Sequence, residues 1–270
     1  MERSAGTDER LKPVGEQLRA WRHVRRVSQM SLALDAGIST RHLSFVETGR
    51  AKASRQMLGQ LADQLDLPLR ARNLLLLAGG YAPAYPERPL DHPALEAAKA
   101  AVELVLKSHS PFPALAVDRH WTLIAANEAV GLLIASAAPH LLAPPVNVLR
   151  LSLHPEGLAP AILNLAEWKA HLLERLRRQV AATGDPTLAA LQEELAAYPA
   201  PAADSPSTDA SAGLYVPMRL ASPAGELSFL STTTVFGTPL DITLSELAIE
   251  AFLPADAATA DRLRALTSPA

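Results

Sequence analysis

The chain has 270 residues, 49% of them hydrophobic and 20% charged, which is typical of a soluble globular protein with room for two domains. It has no cysteine, which excludes disulfides, thiolate metal sites and cysteine nucleophiles and suits a reducing cytosol. Residues 1–82 contain 13 Lys and Arg and 8 Asp and Glu, whereas residues 83–270 contain 12 Lys and Arg and 20 Asp and Glu. The basic first segment is therefore expected to bind a polyanion.

The N-terminal segment MERSAGTDERLKP is charged and has no apolar stretch, which argues against a signal peptide. Nowhere does the chain reach the run of about 18 apolar residues that a membrane-spanning helix needs. We therefore expect a cytoplasmic protein with no membrane partner.

The first 82 residues predict five short helices. The first helix carries apolar residues at helical spacing, and the second and third begin after Ser28 and Ser39, two good N-cap residues. Two further helices are predicted over Gln56–Leu65 and Arg70–Ala78, where the last one ends at a pair of glycines. The first domain is therefore predicted to be all-α.

The segment from Gln29 to Glu47, QMSLALDAGISTRHLSFVE, carries the most specific pattern of the chain. Ala33 is small where the second helix approaches the third, and Gly37 supports a left-handed turn between them. This spacing resembles the lambda-repressor-like helix-turn-helix of the XRE family, which implies a third helix that enters a major groove. In that family the Glu and the Arg of the Glu47-Thr48-Gly49-Arg50 segment are expected to brace the following loop against the helix. A plain helical hairpin without a DNA role is the alternative.

The resemblance assigns DNA contacts to outward-facing residues of this motif. Arg41 is the best candidate for a bidentate contact with guanine, whose O6 and N7 match the guanidinium fork. Gln29, at the start of the second helix, is expected to hold a phosphate through its side chain and nearby backbone amides. An ordinary solvated role is the alternative for every member of the set. The candidate DNA-binding residues are Gln29, Ser39, Thr40, Arg41, Ser44, Phe45, Arg50 and Lys52.

Four prolines between Tyr81 and Pro93 exclude a helix there and predict a domain boundary. An alanine-rich amphipathic helix over Ala94–Lys107 is predicted to follow. The predicted organisation is therefore a helix-turn-helix domain over 1–82, a linker and connecting helix over 83–107, and a second domain over 108–270.

The second domain is predicted to be α+β, with strands at both ends and helices between them. Residues 199–213 are of low complexity and predict a loop. Residues 244–254 fit either a helix with a capping box or an alternating strand; we favour a strand, followed by a helix capped by Asp256. The other predicted elements are strands over 113–117, 121–126, 214–220 and 225–236 and helices over 128–135, 161–181 and 187–198.

The second domain is similar to the ligand-binding domain of MmyB-like regulators, a PAS-like module. The residues that carry this resemblance include PFPA at 111–114, VDRHW at 117–121, HPEGL at 154–158, STTT at 231–234 and FLPAD at 252–256. The resemblance implies a five-stranded antiparallel sheet and a pocket for a small apolar, fatty-acid-like ligand. Core packing is the alternative role of each wall residue. The candidate ligand-binding residues are Phe112, Trp121, Ile124, Leu165, Trp168, Leu172, Phe229 and Val235.

We find no nucleophile elbow, phosphate-binding glycine loop or zinc-binding His-Glu motif, and the eight histidines lack metal-ligand spacing. No catalytic residue, metal or cofactor is therefore expected. Arg175, Arg177 and Arg178 are interpreted as the solvated face of a helix. The sequence favours a ligand-responsive transcription regulator that binds a double-stranded DNA operator as a homodimer. The alternative keeps the DNA-binding domain but makes the second domain a dimerisation or docking module without a ligand.

Overall fold

The structure is a computed structural model, and it describes residues 11–201 and 215–267. The chain divides into two compact units. One holds the residues up to Glu87 together with Leu240–Ile242, and the other holds Arg88–Pro239 and the residues from Thr243 onwards. The segment predicted as linker and connecting helix is therefore shared between the two units.

Residues 11–87 of the first unit, the described part of its first segment, form five helices, as the sequence predicts. Side-chain oxygens of Ser28, Ser39 and Ser54 accept hydrogen bonds from backbone N–H groups three residues further on, which fixes the starts of three of these helices. The helices are α1 Val14–Val24, α2 Gln29–Asp35, α3 Thr40–Glu47, α4 Arg55–Gln64 and α5 Leu69–Ala78.

Two glycines set the packing of these helices. Gly37 has a φ of +67°, so the predicted left-handed turn between α2 and α3 is confirmed. Gly15 in α1 lies against α3 so closely that a Cβ there would be 2.3 Å from the backbone oxygen of Glu47. A glycine at this position therefore lets α1 touch the end of α3, a constraint that helical spacing alone does not reveal.

The second unit is α+β. Its sheet has the strand order β2-β1-β5-β4-β3, and every neighbouring pair is antiparallel. The strands are β1 Ala114–Val117, β2 Leu123–Ala126, β3 Met218–Ser222, β4 Gly225–Val235 and β5 Ala248–Pro254. The helices are α6 Glu96–Ser108, α7 Glu128–Ile134, α8 Pro139–Leu142, α9 Val148–Leu153, α10 Leu165–Thr183, α11 Pro186–Ala197 and α13 Ala257–Thr267. Helix α12, Ile242–Ser245, begins with the last residue assigned to the first unit and continues into the second. Single 3₁₀ turns cover Pro93–Leu95 and Ala159–Ala161.

The predicted five-stranded antiparallel sheet is confirmed, and the ambiguous segment 244–254 is mostly strand. Its strand β5 is the central one and pairs with both β1 and β4. The helix predicted from 161 begins only at Leu165, because Ile162 forms a bridge to Leu220 beside β3. The short helices α8 and α9 are not predicted from the sequence. Beyond Pro201, the predicted low-complexity loop lies outside the described residues.

The two faces of the sheet are covered differently. In β1, Ala114 and Ala116 belong to a small core with Val102 and Leu106 of α6. Leu115 and Val117, which alternate with these alanines along β1, belong instead to the larger core, where they pack with side chains of α7 and α9 to α11. In β1, strand alternation therefore sends small side chains to one face of the sheet and large side chains to the other, and the candidate ligand site lies on the face of large side chains.

Candidate functional site

Helix α3 presents a polar surface opposite its buried side chains. Leu43 and Val46 are buried, whereas Thr40 and Arg41 are exposed and Ser44 and Phe45 are half-buried. The guanidinium carbon of Arg41 lies 5.3 Å from the centre of the Phe45 ring. Among the described residues Arg41 forms no ion pair. The helix thus offers a free guanidinium of the kind that reads guanine edges.

A buried carboxylate joins the three helices of this motif. Glu47 is only 3% exposed and accepts hydrogen bonds from Arg22 Nε at 2.9 Å, Arg22 Nη2 at 3.1 Å and Gln29 Nε2 at 2.8 Å. Burial raises the pKa of Glu47, but these hydrogen bonds outweigh it, so the pKa lies below its usual value. The expectation that Glu47 braces the following loop is therefore wrong: its carboxylate binds α1 and α2.

This geometry changes the interpretation of Gln29. Its amide nitrogen donates one hydrogen bond to Glu47, which fixes the side chain and leaves the second N–H of the amide and the backbone amide for the predicted phosphate contact. Ser39 uses its hydroxyl to cap α3. Arg50 and Lys52 are exposed in the next loop and form no ion pair with the described part of the chain. Two loop cations therefore remain free for phosphates.

The second unit contains a cavity of about 70 Å³ beneath the face of large side chains. Most of its lining is apolar and comes from β1, β2, β5, α7, α9 and α10. The polar lining residues are Ser152, Arg175, Ser231 and Glu250. An apolar cavity with a few convergent polar groups is the usual form of a small-molecule site.

Helix α10 supplies one wall of this cavity. Trp168, Leu172, Arg175 and Gln179 are spaced by four, three and four residues, so they share one face of the helix. Trp168 Nε1 donates to Ser152 Oγ at 3.1 Å, and Trp121 Nε1 donates to Gln179 Oε1 at 2.8 Å. Both indoles are thereby fixed in orientation, with their rings in the apolar lining.

Trp121 lies in a strained backbone conformation. Its φ is +66°, an unusual value for a bulky residue. Its backbone N–H donates to the backbone carbonyl of Asp118 at the turn before β2. Asp118 Oδ1 also accepts the N–H groups of His120 and Thr122 at 2.8 Å, which stabilises the turn. Such strain persists where surrounding contacts over-determine it and is enriched at functional sites.

An ion pair forms part of the cavity lining. Arg175 Nη1 and Nη2 lie 2.9 and 2.6 Å from the two carboxylate oxygens of Glu250. The Arg175 guanidinium also stacks 4.5 Å from the centre of the Trp121 ring and donates to Thr233 Oγ1. The interpretation of Arg175 as part of a solvated face is therefore wrong, although Arg177 and Arg178 are exposed. The sequence gives no sign of the pair, because its members are 75 residues apart.

The predicted ligand-binding residues are only partly brought together. Trp121, Trp168 and Leu172 line the cavity, whereas Phe229 is buried in the adjoining core and Phe112 and Leu165 pack at its margin. Ile124 and Val235 are exposed. Leu123, the strand neighbour of Ile124, lines the cavity instead, because consecutive strand residues point to opposite faces.

One further group of potential ligands comes together at the surface. Nitrogen atoms of His140 and His154 and a carboxylate oxygen of Glu156 lie within 4.8 Å of one another. However, His154 Nδ1 accepts the backbone N–H of Glu156, which places the proton of a neutral ring on Nε2. This arrangement leaves neither nitrogen of His154 free as a metal ligand, so the cluster is better explained as an exposed hydrogen-bonded group.

Two family models match the chain. The model described as MmyB-like transcription regulator ligand binding domain matches residues 98–266. The chain belongs to this family. A helix-turn-helix domain model matches residues 13–75 of the same MmyB-like chain, so it is a DNA-binding regulator with a ligand-binding domain. No curated protein matches it. In the described ranges, no helix of this MmyB-like chain combines the length and apolarity needed to cross a membrane.

Proposed function

We propose that this protein is a cytoplasmic, sequence-specific transcription regulator whose second unit senses a small apolar, fatty-acid-like molecule. It acts as a regulator rather than as an enzyme, and it binds a double-stranded, pseudo-palindromic operator as a homodimer. The observation that carries this proposal is the apolar cavity of the second unit in a chain whose first unit presents a free recognition helix.

The DNA-binding part rests on the division of labour within α3. Its buried face anchors the helix, and its opposite face carries Thr40, Arg41 and Ser44. Arg41 has no competing ion pair among the described residues. Arg50 and Lys52 add positive charge in the loop that follows. Base contacts from the helix and phosphate contacts from the loop are the two components of sequence-specific binding.

The ligand-sensing part rests on the size and lining of the cavity. At about 70 Å³ it is smaller than the roughly 300–1,000 Å³ of most small-molecule sites, so a larger guest requires lining side chains to move. A molecule that fits one arrangement of α7, α9 and α10 better than another shifts the protein between them. This is the physical requirement for a sensor.

The same small volume favours a second candidate function. In that case Trp121, Trp168 and Leu172 serve only as core, and the second unit is a dimerisation or docking module without a ligand. The two candidate functions differ in whether the purified native protein carries a bound small molecule.

Selection of duplexes from a randomised DNA pool by the full chain, followed by native mass spectrometry of the free and DNA-bound protein, tests the proposal. We expect a recurrent palindromic sequence, a two-to-one protein–duplex complex and an extra mass of a small apolar compound in the free protein. Failure to enrich any sequence contradicts the regulator function. An enriched sequence without a carried compound, and without binding of any added aliphatic compound, favours the docking module.

A further inference from the structure

The charges in the lining of the cavity restrict what the cavity accepts. Arg175 and Glu250 are the two charged residues in its lining, and they neutralise each other. The Glu250 side chain is 4% exposed and that of Arg175 is 22% exposed, so this pair lies largely out of water. Charges in such a position interact strongly with any third charge brought beside them.

Both members of the pair are also hydrogen-bonded within the protein. Glu250 Oε1 accepts from Arg175 Nη2 and from Thr233 Oγ1 at 3.0 Å, and Oε2 accepts from Arg175 Nη1 at 2.9 Å. Within residues 11–201 and 215–267, every buried side-chain nitrogen and oxygen has a hydrogen-bond partner. No unpaired buried charge therefore awaits a counter-ion from a ligand in this part of the chain.

We infer that the ligand of this cavity has an uncharged polar head group, such as an alcohol or an amide, on a short aliphatic body. This inference rests on the proposed sensing function and narrows its ligand class: the aliphatic body of a fatty-acid-like molecule is retained, and its carboxylate is replaced by an uncharged head group. The head group lies beside the Arg175–Glu250 pair, where it uses the hydroxyl of Ser231 and the unused acceptor capacity of the carboxylate.

Charged head groups are disfavoured for two separate reasons. A carboxylate placed here faces the buried carboxylate of Glu250, and it gains Arg175 only by leaving Glu250 without its partner. An ammonium group faces the guanidinium of Arg175 in the same way. An uncharged donor or acceptor disturbs neither charge, and it avoids the loss of hydration that a charged group suffers on entry. The pair therefore acts as a filter against both fatty acids and amines.

Four ligands of equal length test this inference: hexanol, hexanamide, hexanoate and hexylamine. Their binding to the full-length protein at neutral pH is measured by calorimetry and by the fluorescence of Trp121 and Trp168, which both line the cavity. We expect hexanol and hexanamide to bind, and hexanoate and hexylamine to bind at least about 100-fold more weakly. Hexanoate binding as tightly as hexanol overturns the inference but leaves the sensing function intact. If none of the four binds, both are contradicted.

The variant Glu250→Gln tests whether the head group of the ligand lies beside the Arg175–Glu250 pair. It leaves the charge of Arg175 uncompensated, so hexanoate is expected to bind more tightly than hexanol, a reversal of the wild-type order. The control is Glu226→Gln, which removes an exposed glutamate from the adjacent strand β4, where it pairs with Arg219 outside the cavity. This control is expected to keep the wild-type order. An unchanged order in a folded Glu250→Gln protein overturns the inference, and the wild-type series decides it if that variant does not fold.

Discussion

Gly37 and Gly59 have similar space around them but different backbone conformations, which allows a matched test of the turn between α2 and α3. A Cβ at either position would meet no other atom within 4 Å, but Gly37 has a φ of +67° whereas Gly59 lies within α4. Gly37→Ala is therefore expected to lower the free energy of unfolding by about 1–2 kcal/mol. Gly59→Ala is expected to raise it by about 0.5–1 kcal/mol. Denaturant unfolding of both variants measures this, and equal signs would contradict the assigned turn.

Arg41 and Lys52 separate base recognition from phosphate binding. We expect Arg41→Ala to lose about 1–3 kcal/mol of discrimination between the selected operator and random DNA, because a bidentate guanine contact disappears. Lys52→Ala should weaken binding to both kinds of DNA alike and reduce the slope of log affinity against log salt concentration by about one. Anisotropy titrations over a range of salt concentrations compare the two. If Arg41→Ala also weakens both DNAs equally, Arg41 contacts only the backbone.

At the scale of elements, the sequence predicts what local chemistry determines. The serine caps locate the starts of α2 and α3, the bounds predicted for α4 and α5 agree with the structure to within one residue, and alternation identifies β5 correctly. The strand order, the Arg175–Glu250 pair and the Glu47 cluster depend on residues far apart in the chain, so no local pattern reveals them. The wall of the cavity shows the same limit: Ile124 is apolar and lies on a predicted strand, but its side chain faces away from the cavity.

The junction of α1, α2 and α3 depends on Glu47 being charged. Glu47→Gln is expected to lower the stability of the first unit by about 3–5 kcal/mol at neutral pH, because Arg22 then keeps a buried charge without its partner. The exposed Glu16→Gln in α1 is the matched control and should change stability by less than about 0.5 kcal/mol. Hydrogen exchange of peptides from 14–47 in the full chain provides the measurement. Equal protection in both variants would show that the cluster contributes nothing.

The same cluster predicts a pH dependence. The folded-state pKa of Glu47 lies below its unfolded value, so its contribution is complete above the unfolded value and is lost as the pH falls through the folded one. Wild-type protein should therefore lose protection of α1 to α3 on acidification, whereas Glu47→Gln should lose less. A parallel loss in the two proteins would assign the acid sensitivity to other groups.

At the scale of the whole molecule, the two units must communicate if the protein is a sensor. A ligand changes DNA affinity only as far as it binds two states of the protein differently. The cavity meets one condition for such a difference, since a guest larger than its 70 Å³ requires the packing of α10 against the sheet to change. The magnitude of coupling between sites in other proteins is about 1–3 kcal/mol.

We therefore expect saturating hexanol to raise or lower operator affinity by about 5–150-fold. Leu172→Phe, which places a ring in the cavity lining, should abolish this change and leave operator affinity in the absence of hexanol close to that of the wild type. Leu104→Phe on α6 adds the same ring to a side chain that is 68% exposed and should retain the response. Linkage adds a second readout, because the operator must change hexanol affinity by the same factor. Hexanol binding without any effect on operator affinity in either direction would separate the two functions and leave the cavity without a regulatory role.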